Sequence, residues 1–178
     1  MSARLTYASL PIEIKKIGNS ALGMGFLKTL FLDSHTYHLM IKISDGIFIG
    51  FVLYHFENSR TQKGKIVGVI DCVCVSPAYR KEGFGTLLTF GALRKMSAFG
   101  ADRVEITLKA PNAGQRDGES GIPLAGSEGI LRQFGFHFVS VAEDRWVIKS
   151  KKYGYDCIFC GNKPDSCLSI LYAIDSSE

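Results

Sequence analysis

No stretch of this sequence is long and apolar enough to cross a bilayer. The longest uninterrupted apolar or glycine run, Gly46 to Tyr54, falls well short of the roughly 20 residues that a membrane helix needs. The start, Met1-Ser2-Ala3-Arg4, is not followed by an apolar signal core, so secretion is not indicated. Cysteine is sparse and odd in number, five in all. Cys72 and Cys74 lie inside a hydrophobic stretch, which suits a reducing compartment better than a disulfide framework. A cytoplasmic protein is the expectation. Charge of one sign is also lacking: a net charge of +4 favours a polyanionic ligand but leaves no nucleic-acid footprint. No internal repeat is visible. What is present is an ordinary globular composition, 46% hydrophobic and 21% charged over 178 residues, enough for one domain with a real core.

The chain is organised around Val67 to Met96. An apolar run, Val67-Gly68-Val69-Ile70-Asp71-Cys72-Val73-Cys74-Val75, is followed by Ser76-Pro77-Ala78-Tyr79 and by Arg80-Lys81-Glu82-Gly83-Phe84-Gly85. An amphipathic helix from Thr86 to about Phe99 comes next, with Leu87, Leu88, Leu93 and Met96 as its expected buried stripe. Gly83 and Gly85 let backbone approach a ligand without a Cβ in the way. A helix start offers unpaired N–H groups and the positive end of its dipole, so this junction is suited to a phosphate or pyrophosphate. A P-loop requires a Lys after its last Gly, and Gly85 is followed directly by Thr86. A dinucleotide fingerprint requires a third small residue where Leu88 stands. A glycine-rich turn with no ligand is the plain alternative.

Elsewhere the patterning predicts an edge strand within residues 4–17, broken by Pro11, from the alternation of Ile12-Glu13-Ile14-Lys15. A helix capped at Asn19-Ser20 and carrying Leu22, Phe26, Leu27 and Leu30 follows. His38 to Ser44, a turn at Asp45-Gly46, Ile47 to Phe56 and the central strand from Lys65 read as a three-strand antiparallel meander. Arg103 to Leu108 alternates and is expected to run parallel to the central strand, since a helix joins them. Residues 110–129, with five glycines and two prolines, read as an exposed loop. A short helix near Ser127 to Phe134 and strands at His137 to Val141 and Arg145 to Lys149 complete the pattern.

The series Arg80-x-x-Gly83-x-Gly85 after a Val-x-Pro strand exit resembles the pyrophosphate loop of the GCN5-related N-acetyltransferase (GNAT) family. The segment Ile130-Leu131-Arg132-Gln133-Phe134-Gly135-Phe136 is similar to that family's late helix ending in Gly-Phe. The resemblance covers about residues 5–149. It implies an α+β (α/β) fold, a mixed and mostly antiparallel central sheet flanked by helices, with a V-shaped splay between two parallel strands. Residues 1–149 would form the acyltransferase domain and 150–178 a C-terminal extension without assigned role. The implied activity is transfer of an acyl group from acetyl-CoA to an amine, protein or small molecule, by direct attack in a ternary complex. The rival is a catalytically weak or inactive module that binds acyl-CoA or a protein partner. A homodimer is left open.

On that resemblance, acyl-CoA lies where the strand ending near Val75 splays from the one ending near Leu108. Its pantetheine pairs with backbone around Val73, Cys74 and Val75. The pyrophosphate accepts N–H groups from Arg80, Lys81, Glu82, Gly83, Phe84, Gly85 and Thr86. Donors near Cys74 hold the oxyanion. Asp71 is the candidate base: an acid in so apolar a strand is paired, faces a cleft or lies on an exposed sheet edge, and a structural tie to a neighbouring strand or helix is the plain alternative. Strand parity groups it with Val69, Val73 and Val75, opposite Cys72 and Cys74. Glu57 and Glu105 read as solvent-face positions, and His55 and His137 as packed imidazoles. The family's usual Tyr four residues before the Gly of Gly-Phe is Leu131 here, and Leu124 stands near the place of a frequent Asn. A thiolate acid would then be Ser127, Tyr79, Tyr153 or solvent. Cys157, Cys160 and Cys167 supply three thiolates where structural zinc takes four ligands, so no metal is expected.

Overall fold

The computed structural model describes residues 5–32, 35–111, 127–142 and 167–175. Helices α1 (Ile12–Leu22) and α2 (Phe26–Leu30) precede strands β1 (His38–Ser44), β2 (Ile47–Asn58) and β3 (Ile66–Val75). A single 3-10 turn, Pro77–Tyr79, leads to helix α3 (Phe84–Phe99) and strand β4 (Arg103–Pro111). Helix α4 (Glu128–Gln133) and strands β5 (His137–Ala142) and β6 (Cys167–Asp175) complete the order. The six strands form one sheet in the order β1-β2-β3-β4-β6-β5. Among the described strands only the β3–β4 pair is parallel, as expected for strands joined by a crossover helix.

The edge strand expected around Pro11 is a helix instead. Ile14 is fully buried while Ile12 is 57% exposed. The apolar positions that bury are Leu10, Ile14 and Ile17, a helical spacing that four alternating residues do not reveal. Pro11, with no N–H to donate, stands just before the first turn. Asn19 and Ser20 fall inside α1, and Gly23 and Gly25, both at positive φ, divide it from α2. Together α1 and α2 cover one face of the sheet, packing Ile14, Phe26 and Leu27 against Phe51, Leu53, Cys72 and Cys74.

Helix α3 covers the other face. Leu88, Ala92 and Met96 pack on Val52, Tyr54, Ile70, Val104 and Ile106, each large side chain contributing about 1.5–3 kcal/mol by leaving water. Leu87, expected in this stripe, is 50% exposed. The helix begins at Phe84, two residues earlier than predicted, and ends at Gly100 in the left-handed conformation. Close approach is required where α3 crosses β3: a Cβ on Gly68 would lie 2.8 Å from Met96 Sδ.

The apolar run after Cys167 is strand β6, which lies between β4 and β5. Ile170 and Ala173 are fully buried and Tyr172 nearly so. The extension from residue 150 therefore contributes a strand to the interior of the sheet. The expected strand Arg145 to Lys149, most of the loop 110–129, Tyr153, Cys157 and Cys160 lie outside the described residues. Among the described residues, no helix is long and apolar enough to cross a membrane.

Candidate active site

Strands β3 and β4 pair only from Val67↔Arg103 to Ile70↔Ile106. Beyond that point β3 continues to Val75 along β2, and β4 continues to Pro111 along β6. A wedge-shaped gap therefore opens in the middle of the sheet. The β3 side of this gap runs from 71 to 75, about 16 Å at the usual rise per residue. Ser76 donates its N–H to Ile49 O at 2.8 Å, continuing the β2 pairing. By strand alternation the main-chain groups of Val75 and Val73 face the gap, and those of Cys74 face β2. The Cys74 backbone expected at the oxyanion is thus turned into the sheet.

Asp71 sits where the strands part. It is also an extra residue in β3: Leu53 pairs with Cys72 and Tyr54 with Ile70, leaving Asp71 unmatched. This bulge resets the alternation. Asp71 consequently shares the α1 face with Cys72 and Cys74 and is not opposite to them, as regular parity had implied. There Asp71 Oδ2 accepts a hydrogen bond from His55 Nδ1 at 2.8 Å. The Cys72 thiol beside it is held well above its ordinary value by its bond to Cys74, by burial and by the Asp71 charge, so it is no thiolate nucleophile at neutral pH.

At the far end of the gap the chain turns through Pro77–Tyr79 into the glycine loop. Arg80 is extended and its Nε donates to Val75 O at 3.3 Å. Lys81 adopts φ 67° and Gly83 φ 82°. Gly83 forms the N-cap of α3 with no side chain capping the helix, so the N–H groups of Phe84, Gly85 and Thr86 have no acceptor within the helix. Nothing stands within 4 Å of a Cβ on Gly83. A Cβ on Gly85 would be 3.5 Å from Ile130 Cδ1 and 4.0 Å from Val75 Cγ2. The helix start, the end of β3 and α4 therefore converge beside the gap. Arg80, Lys81 and Glu82 are exposed, the two cations adding positive charge around those donors.

A family model of the acetyltransferase (GNAT) family matches residues 13–117, a span that holds the gap, Asp71 and the glycine loop. The chain belongs to the GNAT acetyltransferase family. Its acyl donor is accordingly acetyl-CoA. Solved structures share the fold at low identity. The ribosomal-protein-S18-alanine N-acetyltransferase from Escherichia coli superposes with a TM-score of 0.65 at 14% identity, over 99% of this chain and 93% of that one. An acetyltransferase from Bacillus subtilis in complex with CoA gives 0.62 at 18% identity over 95% of each chain. An IAA acetyltransferase from Bacillus cereus gives 0.62 at 15% identity, over 98% of this chain and 97% of that one. By sequence, no curated protein matches.

A cavity of about 1190 Å³ opens at the end of this GNAT sheet where β3 and β4 begin, and extends along its α1 face. Asp71, His55, Glu57, His35, Tyr37 and Glu105 are among its walls. Glu57 and Glu105, expected on a solvent face, are half-buried here, and His137 is exposed where a packed ring was expected. His55 is 5% exposed and stacks on His35 with ring centroids 4.1 Å apart. His35 carries no signal in the sequence, because it stands outside any periodic segment. Leu131, at the usual Tyr position, is 2% exposed and part of the α3-side core. Glu128, also missed, is buried at the start of α4, with Oε1 accepting from Arg132 at 2.6 and 2.8 Å.

Proposed function

We propose that this protein transfers the acetyl group of acetyl-CoA to an amine by direct attack in a ternary complex. The observation that carries the reading is the gap between β3 and β4, with Asp71 at its apex and an uncapped helix start at its mouth. The diphosphate of the cofactor takes the N–H donors of residues 80–86, aided by Arg80 and Lys81. The pantetheine amides pair with Val73 and Val75 like an added strand. The amine lone pair attacks the thioester carbon, the carbonyl oxygen becomes an oxyanion held by main-chain N–H groups in the gap, and the C–S bond breaks on collapse. Asp71 accepts the proton of the amine while His55 holds the carboxylate in place. The leaving thiolate takes a proton from Ser127, Tyr79, Tyr153 or solvent, since Leu131 has none to give. The acceptor enters from the cavity side, where Asp71 is reached.

Calorimetry with CoA, beside free-thiol release from acetyl-CoA over a panel of amines, tests this. Binding together with amine-dependent release is the expected outcome. Gly83→Glu and Gly85→Glu should each weaken CoA binding by about a hundredfold or more, ~2.7 kcal/mol, the first by strain at positive φ and charge, the second by filling the space toward Ile130. Binding with no release above the hydrolysis blank would favour an inert acyl-CoA-binding module. Unchanged affinity in both variants would remove the loop from the site.

A further inference from the structure

We propose that His35, His55 and Glu57 form a site for one divalent transition-metal ion of the zinc class on the cavity wall. His55 and Glu57 are two apart on β2, so strand alternation puts both on the α1 face. His35, from the segment before β1, stacks on His55 at 29° between ring planes. One ligand atom from each of the three lies within 4.8 Å of the others. A tetrahedral zinc with bonds of about 2.0–2.1 Å holds its ligands about 3.3 Å apart, so the site closes by roughly an ångström on binding.

The second observation is the state of His55. A carboxylate only accepts hydrogen bonds, so the 2.8 Å contact with Asp71 Oδ2 places the proton on Nδ1. Nε2 is the ring atom left to coordinate a cation. It is buried, has no hydrogen-bond partner, and faces Glu57 Oε2 at 3.9 Å. A buried ring nitrogen without a partner, beside a half-buried carboxylate oxygen, is a position that a bound cation would satisfy. Arg60 approaches the same Glu57 oxygen at 3.9 Å, but it is 77% exposed on its side chain and free to turn to solvent. Asp71, His55 and the ion then form the carboxylate–histidine–metal series that fixes ring orientation and raises basicity. Two imidazoles and a carboxylate suit zinc, cobalt or nickel better than magnesium or calcium. Three protein ligands leave a fourth position open to the cavity for water or a donor atom of the acceptor. The proposal is independent of acetyl transfer, since binding is read without cofactor.

The test is titration of the full, chelator-treated chain with cobalt(II), followed by visible d–d absorption and calorimetry. One equivalent with tetrahedral absorption is expected, and zinc should displace it. His35→Ala and Glu57→Gln, both at half-buried positions, should abolish this band while circular dichroism stays native. Asp71→Asn should weaken cobalt binding by about 10- to 100-fold, the range for an orienting partner. Absence of the band in the folded chain overturns the proposal. So does a band carrying thiolate-to-cobalt charge transfer that persists in both variants, which would place the ion on the cysteines.

Discussion

Among single residues, Asp71 carries the most chemical weight. An acid within Val-Ile-Asp-Cys-Val-Cys-Val is conspicuous in the sequence, because an apolar strand gives a carboxylate no solvent and so requires a partner or a cleft. The structure supplies both, His55 on one side and the cavity on the other. What parity could not supply was the face. Counting by twos presumes unbroken pairing, and the bulge at Asp71 moves it beside Cys72. His55 was hidden for a related reason: within Tyr-His-Phe it looks like any packed ring, and only the fold brings it to Asp71. Replacing Asp71 by Asn keeps size and a hydrogen-bonding oxygen but removes the proton acceptor. The expected result is a fall in kcat of about 10² to 10⁴ with CoA affinity unchanged, read by steady-state kinetics and calorimetry on the same preparation. A loss of thermal stability without a specific loss of turnover would make Asp71 structural.

Among elements, the glycine loop and α3 were legible because their residues answer to one chemical demand, unpaired donors and no bulk at a helix start. Helix α1 was not, since Ile12-Glu13-Ile14-Lys15 satisfies a period of two as well as one of 3.6 over so short a window. Packing decided it by burying Ile14 and leaving Ile12 out. The same packing sets a prediction on β2 and β3. A Cβ on Gly50 would meet Cys74 O, a backbone atom, at 2.5 Å, whereas a Cβ on Gly68 would meet the flexible Met96 side chain at 2.8 Å. Both substitutions by Ala should destabilise, in the range of about 1–3 kcal/mol for overpacking. Gly50→Ala should be the worse, because the sheet must move where Met96 need only turn. Urea midpoints of the two variants rank them. The reverse order would mean that β2 yields more readily than α3.

For the molecule as a whole, the mixed sheet followed from the meander, the crossover helix and the family resemblance, but the position of β6 did not. Leu168 to Ile174 is plainly apolar, as a strand buried on both faces should be. Its insertion between β4 and β5 is a non-local pairing that chain order does not encode. A second whole-molecule feature ties the start of β3 to the start of β4. Asp102 accepts from Lys65 Nζ at 2.6 Å and from Ile66 N–H at 2.8 Å. The Lys65 bond first, then the Ile66 N–H, hold its carboxyl below the usual range. A depressed folded-state value contributes stability above the ordinary carboxylate pKa and loses it as pH falls toward the folded value. Wild type should therefore exceed Asp102→Asn in urea stability near neutral pH, with the difference shrinking in acid below about pH 4. A difference that stays constant with pH would detach this carboxylate from the stability of the sheet.

Main-chain donors at residues 80–86, together with the free edge of β3, are the proposed seat of the cofactor. Amide nuclear magnetic resonance of the labelled protein titrated with CoA reads those donors directly. The N–H signals of Lys81 to Thr86, with Val73 and Val75, should shift most and saturate together, while Cys74, bonded into β2, should shift less. Saturable CoA binding that moves other amides and leaves the turn before α3 unchanged would rule this seat out.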